Sequence, residues 1–256
     1  MFFSNLNTYI YDMATIENGN LKGLVGNVVF RQSNEKTIVQ TKVGRKPKQT
    51  KGTKAASVSF GVSSAIGAYI RRTMAEVHMG FYDSNMHNRL VTQLQRVNGP
   101  SGHISKEKSI RSNKINRLVN FQFNEKCHMQ DFMHFDPQIQ LLDNKQLTIQ
   151  FPKFDKQKDI RQPKNCDLLI FNLFIVMLNF EQQQYIHVHS PQIPINLHTG
   201  PKMVELEQLS FDVNYKDATT VLVGMNIEYY GFHRHKHLLL NNKSFHPAAI
   251  VGAFIN

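Results

Sequence analysis

Twelve histidines and two cysteines are the side chains of this 256-residue chain best suited to hold a metal or act as a nucleophile, and their spacing argues against most such chemistry. His233, His235 and His237 alternate in HRHKH, so a continuous strand would bring all three to one face; His187 and His189 alternate likewise. Neutral imidazoles from two neighbouring strands can meet at a tetrahedral divalent site. No Asp or Glu second shell is evident beside them, however, and HRHKH falls between two strand-like runs, where a turn belongs. These histidines are therefore expected to be solvated turn residues, with no metal and no other cofactor. Cys127, His128, His134 and Asp136 resemble a ligand set in composition but not in spacing, and are expected in a linker between domains. No G-x-S-x-G elbow, H-E-x-x-H helix, Gly-rich phosphate loop or dinucleotide fingerprint occurs, so catalysis is not expected.

The residues from Lys36 to Lys54 have a different chemistry. KVGRKPKQTKGTK carries Lys42, Arg45, Lys46, Lys48, Lys51 and Lys54 with no acid, and Lys36 stands just before it. Side chains at this density neutralise successive phosphates and release counterions without reading sequence. Gly44, Pro47 and Gly52 break both helical and strand periodicity, which predicts an extended arm. No aromatic residue interleaves the cations to stack on bases, so specific readout is not expected of this arm.

The charge extends beyond the arm but stops near the middle of the chain. Residues 1 to 120 hold eighteen basic and six acidic side chains, while residues 121 to 256 hold twelve and thirteen. A net +12 beside a net −1 predicts an anion-facing half joined to an ordinary folded domain. The two cysteines are too few for a disulfide framework and read as free thiols of a reducing, cytoplasmic compartment. MFFSNLNTYIYDM has no basic n-region or long apolar stretch of a secretory signal, and MATIENGNLKG from Met13 reads as a natural start, making residues 1 to 12 an upstream extension. The longest apolar run, LLIFNLFIVMLNF from Leu168 to Phe180, is shorter than the roughly 20 residues a membrane-spanning helix needs, and predicts a buried strand or strand pair.

Several elements would position these groups. Leu24 to Gln32 and Lys36 to Lys42 are β-branched runs around a short turn, which predicts a β-hairpin. Thr53 suits the N-cap of a helix carrying Phe60, Ile66, Ile70, Met74 and Val77, with Arg71 and Arg72 near its end. Asp83 or Ser84 would cap a second helix striped by Met86, Leu90, Leu94 and Val97 and ended by Asn98, Gly99 and Pro100. A third, from Ser105 to about Leu118, would spread Lys106, Lys108, Arg111, Lys114 and Arg117 over much of its surface. Beyond Phe121, short runs at 146–151, 167–180, 185–189, 209–213, 219–230 and 248–254 predict an antiparallel, immunoglobulin-like β-sandwich. The expected fold is α+β, with an extension, hairpin and basic arm over 1–53, a basic helical segment over 54–120 and the sandwich over 121–256.

Residues 13–42, the basic stretch after them and the C-terminal TTVLVGMNIEYYGFHRHKHLLLNNKSFHPAAIVGAFIN (Thr219 to Asn256) together resemble a bacterial protein family common in the Bacteroidota that has no known function. The resemblance implies the same order of hairpin, basic stretch, helices and C-terminal β domain. It implies no activity, cofactor or site residue.

Two functions of different kinds fit these features. The first is a non-enzymatic binding protein whose basic half contacts nucleic acid or another anionic polymer without sequence specificity. Its contacts would come from Lys36, Lys42, Arg45, Lys46, Lys48, Lys51, Lys54, Arg71, Arg72, Lys108, Arg111, Lys114 and Arg117. The second is a structural subunit of a phage-like, filament or envelope assembly, in which hairpin and arm reach onto a neighbouring copy.

Overall fold

The computed structural model describes residues 14–33, 36–42, 44, 48–98, 114–143, 145–180, 184–214 and 220–255. The chain divides into two compact units, Met1–Thr50 and Lys51–Asn256.

The first unit holds four antiparallel strands in sequential order: β1 (Ala14–Glu17), β2 (Asn20–Val25), β3 (Val28–Ser33) and β4 (Lys36–Thr41). The expected hairpin is present as β3–β4. Its first arm is shorter than the β-branched run Leu24–Gln32 suggests, because Gly26, at φ 58°, turns the chain inside that run. Asn18 and Gly19 both take left-handed φ (50° and 78°), the backbone that lets a two-residue hairpin turn follow strand twist. The register sorts the side chains into two faces. Gly23 pairs with Phe30 and Phe30 with Val39, which places Ile16, Leu21, Val25, Val28, Phe30 and Val39 on one face. Lys22, Arg31 and Lys36 fall on the other. No described residue of this sheet is buried, the apolar face included.

The second unit begins with three helices, α1 (Lys51–Thr73), α2 (Ala75–His78) and α3 (Met86–Asn98). A 3₁₀ turn at Ile115–Leu118 leads into β5 (Phe121–Gln122), and the strands that follow are antiparallel wherever they pair. They are β6 (Gln138–Leu141), β7 (Gln146–Gln150), β8 (Phe154–Asp155), β9 (Leu168–Asn179), β10 (Gln184–His189), β11 (Gln192–Asn196), β12 (Met203–Val204), β13 (Leu209–Asp212), β14 (Thr220–His233), β15 (Lys236–Leu239) and β16 (Ala248–Ile255). A seven-stranded sheet runs β10-β9-β14-β16-β5, with β11 also on β9 and β15 also on β14. β13-β7-β6 form a second sheet, and β12-β8 a short ribbon. The architecture is thus mixed α+β, dominated by antiparallel sheets. Among the described residues, no helix is long and apolar enough to cross a membrane.

The apolar run at 168–180 has a simple physical reason. Its strand, β9, is covered on both faces. Leu169, Phe171, Leu173, Ile175 and Met177 pack with Leu147 and Ile149 of the second sheet and Phe151 just after it, while Phe174, Val176 and Leu178 pack with Ile70, Leu90 and Leu94 of the helices. Each such side chain, fully buried, contributes roughly 1.5–3 kcal/mol. The helical and β segments, distinct in charge on either side of residue 120, therefore pack together across one face of the large sheet, and the second sheet covers the other. Cys127, expected in a linker, is fully buried in the cluster on that other face.

Asn172, the polar break in that run, serves the helices. Its Nδ2 donates to Asn226 Oδ1 at 2.8 Å, and Asn226 Nδ2 donates to the Val77 carbonyl at 2.9 Å. The same carbonyl accepts His246 Nε2–H at 3.0 Å, and His246 Nδ1 accepts from Asn241 at 2.8 Å. Buried amides and one imidazole thus satisfy the end of α2, which a helix cannot do for itself. Burial, reinforced by nearby His78 and opposed by the bond to Val77, pushes His246 down to about 4, so it is neutral.

Other expectations are corrected. α1 begins at Lys51 rather than after a Thr53 cap, so Lys51 and Lys54 are helical and not part of an extended arm. It runs unbroken through Gly61 and Gly67; at Gly67 a Cβ would meet Leu94 and Val91 at 3.4 Å, so the glycine lets α3 approach. α3 has the predicted stripe, with Met86, Leu90, Leu94 and Val97 all buried. The extension at 1–12, Arg45, Lys46 and most of the third expected helix, including Lys106, Lys108 and Arg111, lie outside the described residues.

Candidate functional site

α3 buries one face and presents Asn88, Arg89, Thr92, Gln93 and Arg96 on the other, with Asn85 just ahead of it, along an open groove of roughly 510 Å³ whose far wall is Phe121 and Glu125. A second hollow of roughly 210 Å³ shares Arg89, Gln93, Phe121 and Glu125 with it, adding Arg117 and His128. Helical spacing creates this face, because positions 89, 93 and 96 recur at i, i+4 and i+7.

The three arginines have different surroundings. Arg89 is fixed: it pairs with Asp83 through Nη2, donates Nη1 to the Gln122 carbonyl at 3.0 Å, places Nε 3.4 Å from Glu125 and lies 5.2 Å over the Phe121 ring. It ties α3 to the strand below. Burial alone would raise the Asp83 carboxyl, but hydrogen bonds from the Glu125 amide, Arg89 and the Asn85 amide, with the Arg89 charge, hold it below its ordinary value. Arg96 and Arg117 are exposed, and no carboxylate pairs with either among the described residues. They are held by neutral groups. Arg117 Nη1 donates to the Arg96 carbonyl at 2.8 Å, Gln93 Nε2 donates to the Arg117 carbonyl at 2.6 Å, and Arg96 Nη1 reaches Gln93 Oε1 at 3.5 Å. A guanidinium has five donors in a rigid fork, so both retain N–H groups for a carboxylate or phosphate.

The other expected contacts are dispersed. Lys36 opens β4 and Lys42 follows it, its amide donating to the Asn27 carbonyl at 2.7 Å. Lys48 is exposed ahead of α1, Lys51 and Lys54 lie in its first turn, and Arg71 and Arg72 in its last. At about 1.5 Å per residue the two ends of α1 are some 26 Å apart, too far for the two groups to share one small anion. Lys114 precedes the 3₁₀ turn and Arg117 lies within it; of the expected residues that are described, Arg117 alone lines the smaller hollow. Arg89 and Arg96 were missed, although helical spacing sets both off the buried stripe.

The alternating histidines do not share a face. His233 ends β14, Arg234 and His235 form the turn, and His237 lies in β15 opposite Phe232, whereas His233 stands opposite Lys236. Arg234 and His235 both take left-handed φ (47° and 66°), a backbone usually left to Gly or Asn. His187 and His189 lie in β10, and their side chains fall outside the description. No group of three or more metal-ligating side chains comes together among the described residues.

Comparison with known proteins found no matching family model, no matching curated protein and no matching solved structure.

Proposed function

We propose that this chain is a non-enzymatic binding protein that engages nucleic acid or another anionic polymer without reading sequence, with the α3 groove as its fixed contact and the basic arm as an added one. The observation that carries this reading is the pair Arg96 and Arg117: adjacent, exposed, unpaired with any carboxylate among the described residues, and set on two open hollows, Arg96 on the α3 groove and Arg117 on the smaller one that shares Arg89, Gln93, Phe121 and Glu125 with it. They lie in the half of the sequence where basic residues outnumber acids eighteen to six. Backbone phosphates fit this arrangement because guanidinium forks bind them without regard to the base attached. The two sheets around Phe151 and Phe171 serve as the scaffold, read as an immunoglobulin-like sandwich with a helical outer layer. Two free, buried cysteines fit a cytoplasmic setting.

The test is absolute mass together with the 260 to 280 nm absorbance ratio, on protein eluted by size exclusion at low and at high salt. Nucleic acid that co-elutes at low salt and separates at high salt supports the reading. A protein free of it at both, with no affinity for added polyanion, refutes it.

A second reading, as a structural subunit, is favoured by one separate observation. The apolar face of the β1–β4 sheet is not buried by the described residues of its own unit: Ile16, Val25 and Val39 are 74%, 50% and 55% exposed. A small sheet without a buried face is marginal in water, so a neighbouring copy that covered this one would stabilise it. Mass that rises with concentration and survives nuclease supports this role, and a strict monomer removes it.

A further inference from the structure

The β14–β15 hairpin projects a single aromatic ring among cations, and this combination differs from that of the groove. Phe232 is 56% exposed. Its backbone amide donates to Asp167 Oδ2 at 2.5 Å, and in the hairpin register it stands opposite His237. Asp167 also donates its own amide to the Tyr230 carbonyl at 2.8 Å, while its Oδ1 holds His198 Nε2 at 2.8 Å. At Gly231 a Cβ would lie 2.7 Å from the Asn165 carbonyl, so the 165–167 segment presses directly on the strand before Phe232. The ring is therefore carried on a fixed backbone, although its surface faces water. The His237 ring lies 5.4 Å from it and that of His235 6.3 Å, edge-on, which leaves the rest of the ring uncovered. Arg234 and Lys236 follow within four residues, and neither has a carboxylate partner among the described residues.

We infer that this hairpin is a stacking contact for the unpaired bases of a single-stranded nucleic acid, with Phe232 as the platform and Arg234 and Lys236 on the flanking phosphates. The inference rests on the anionic-polymer reading above and narrows its ligand. Every base has a π-face, so an exposed aromatic beside cations binds single strands without sequence preference, and a duplex hides those faces. A lipid surface is less suited, because a membrane-inserting hairpin needs its apolar side chains at the apex. Here the apex is Arg234 and His235, while Phe232 and Leu238 lie behind it on opposite faces.

The experiment compares the full chain with F232A and F232Y for binding to an oligothymidylate, to an abasic strand of the same length and to phosphatidylglycerol vesicles, at one salt concentration. F232A is expected to weaken oligothymidylate binding about tenfold, leave the abasic strand within twofold, and be rescued by F232Y. An unchanged oligothymidylate affinity, or an equal loss on both strands, overturns the inference and leaves the polymer reading standing. Vesicle binding lost in F232A with oligothymidylate unaffected replaces it with a membrane contact. If the unaltered chain binds neither strand, the polymer reading itself fails and the hairpin inference falls with it.

Discussion

Arg117 donates Nη1 to the backbone carbonyl of Arg96 at 2.8 Å, so the cation of the smaller hollow caps the end of the helix that carries Arg96 of the groove. This bond satisfies a carbonyl that α3 cannot satisfy itself and sets a positive group at the negative end of the helix dipole. The same contact therefore supports the fold and the proposed anion site, and the two roles separate by substitution. Replacing Arg117 with Ala should cost about 0.5–1.5 kcal/mol of stability and lower polyanion affinity. Arg96→Ala keeps the capped carbonyl and should lower affinity alone. The double substitution should reduce the salt dependence of binding by roughly two phosphate contacts, read as the slope of log K against log salt.

Gly224 of β14 sits beneath α2, where a Cβ would lie 2.6 Å from Val77 Cγ2 and 2.9 Å from Met74 Sδ. Neither neighbour can yield freely, since both are fully buried. Gly224→Ala should destabilise by about 1–3 kcal/mol, seen as a lower urea midpoint with an unchanged slope. Adding Val77→Ala should recover part of that loss, an interaction a double-mutant cycle would detect.

His246 sets a pH limit on stability. Its folded value of about 4 lies below the usual 6.5, so the unfolded chain takes up the proton first. The fold loses nothing above pH 6.5, loses stability as pH falls from 6.5 toward 4, and by then has lost about 3 kcal/mol, at 1.36 kcal/mol per unit. His78, lowered chiefly by burial, acts in the same direction. His246→Gln should flatten the dependence of the urea midpoint on pH over that range, whatever it does to the midpoint at pH 7.

The elements legible in the sequence are those whose burial pattern is local. The 86–90–94–97 stripe marks α3, and the uninterrupted apolar run marks β9 because both its faces are covered. Elements set by tertiary pairing are not legible. β11 pairs its Pro194 opposite Ile170 on a sheet edge, where a missing N–H is tolerated, and proline there reads as a break. The turn expected at HRHKH is present at Arg234 and His235, but the short exposed strand after it, β15, has no buried face to mark it in the sequence. The groove was half visible. Excess charge points to this half of the chain, but the surroundings of Arg89 and Arg96 arise only where β5 lies beside α3.

Cys166 is nearly buried, and burial first, with the charge of Asp167, pushes its thiol up to about 11. At pH 8 its thiolate should be scarcer than that of a free cysteine by on the order of a hundredfold, and alkylation should slow at least accordingly. Mass spectrometry of the native chain should find Cys166 unmodified under conditions that label it fully in urea. Rapid native labelling would show that the 165–167 segment opens.

The most direct test of the central claim is the affinity of the full chain for a mixed-sequence oligonucleotide across a series of salt concentrations. Binding through phosphates predicts a straight line of log K against log salt, with a slope steeper than about −4 and little change when the sequence is scrambled. Affinity indifferent to salt, or no binding at the lowest salt, would contradict it.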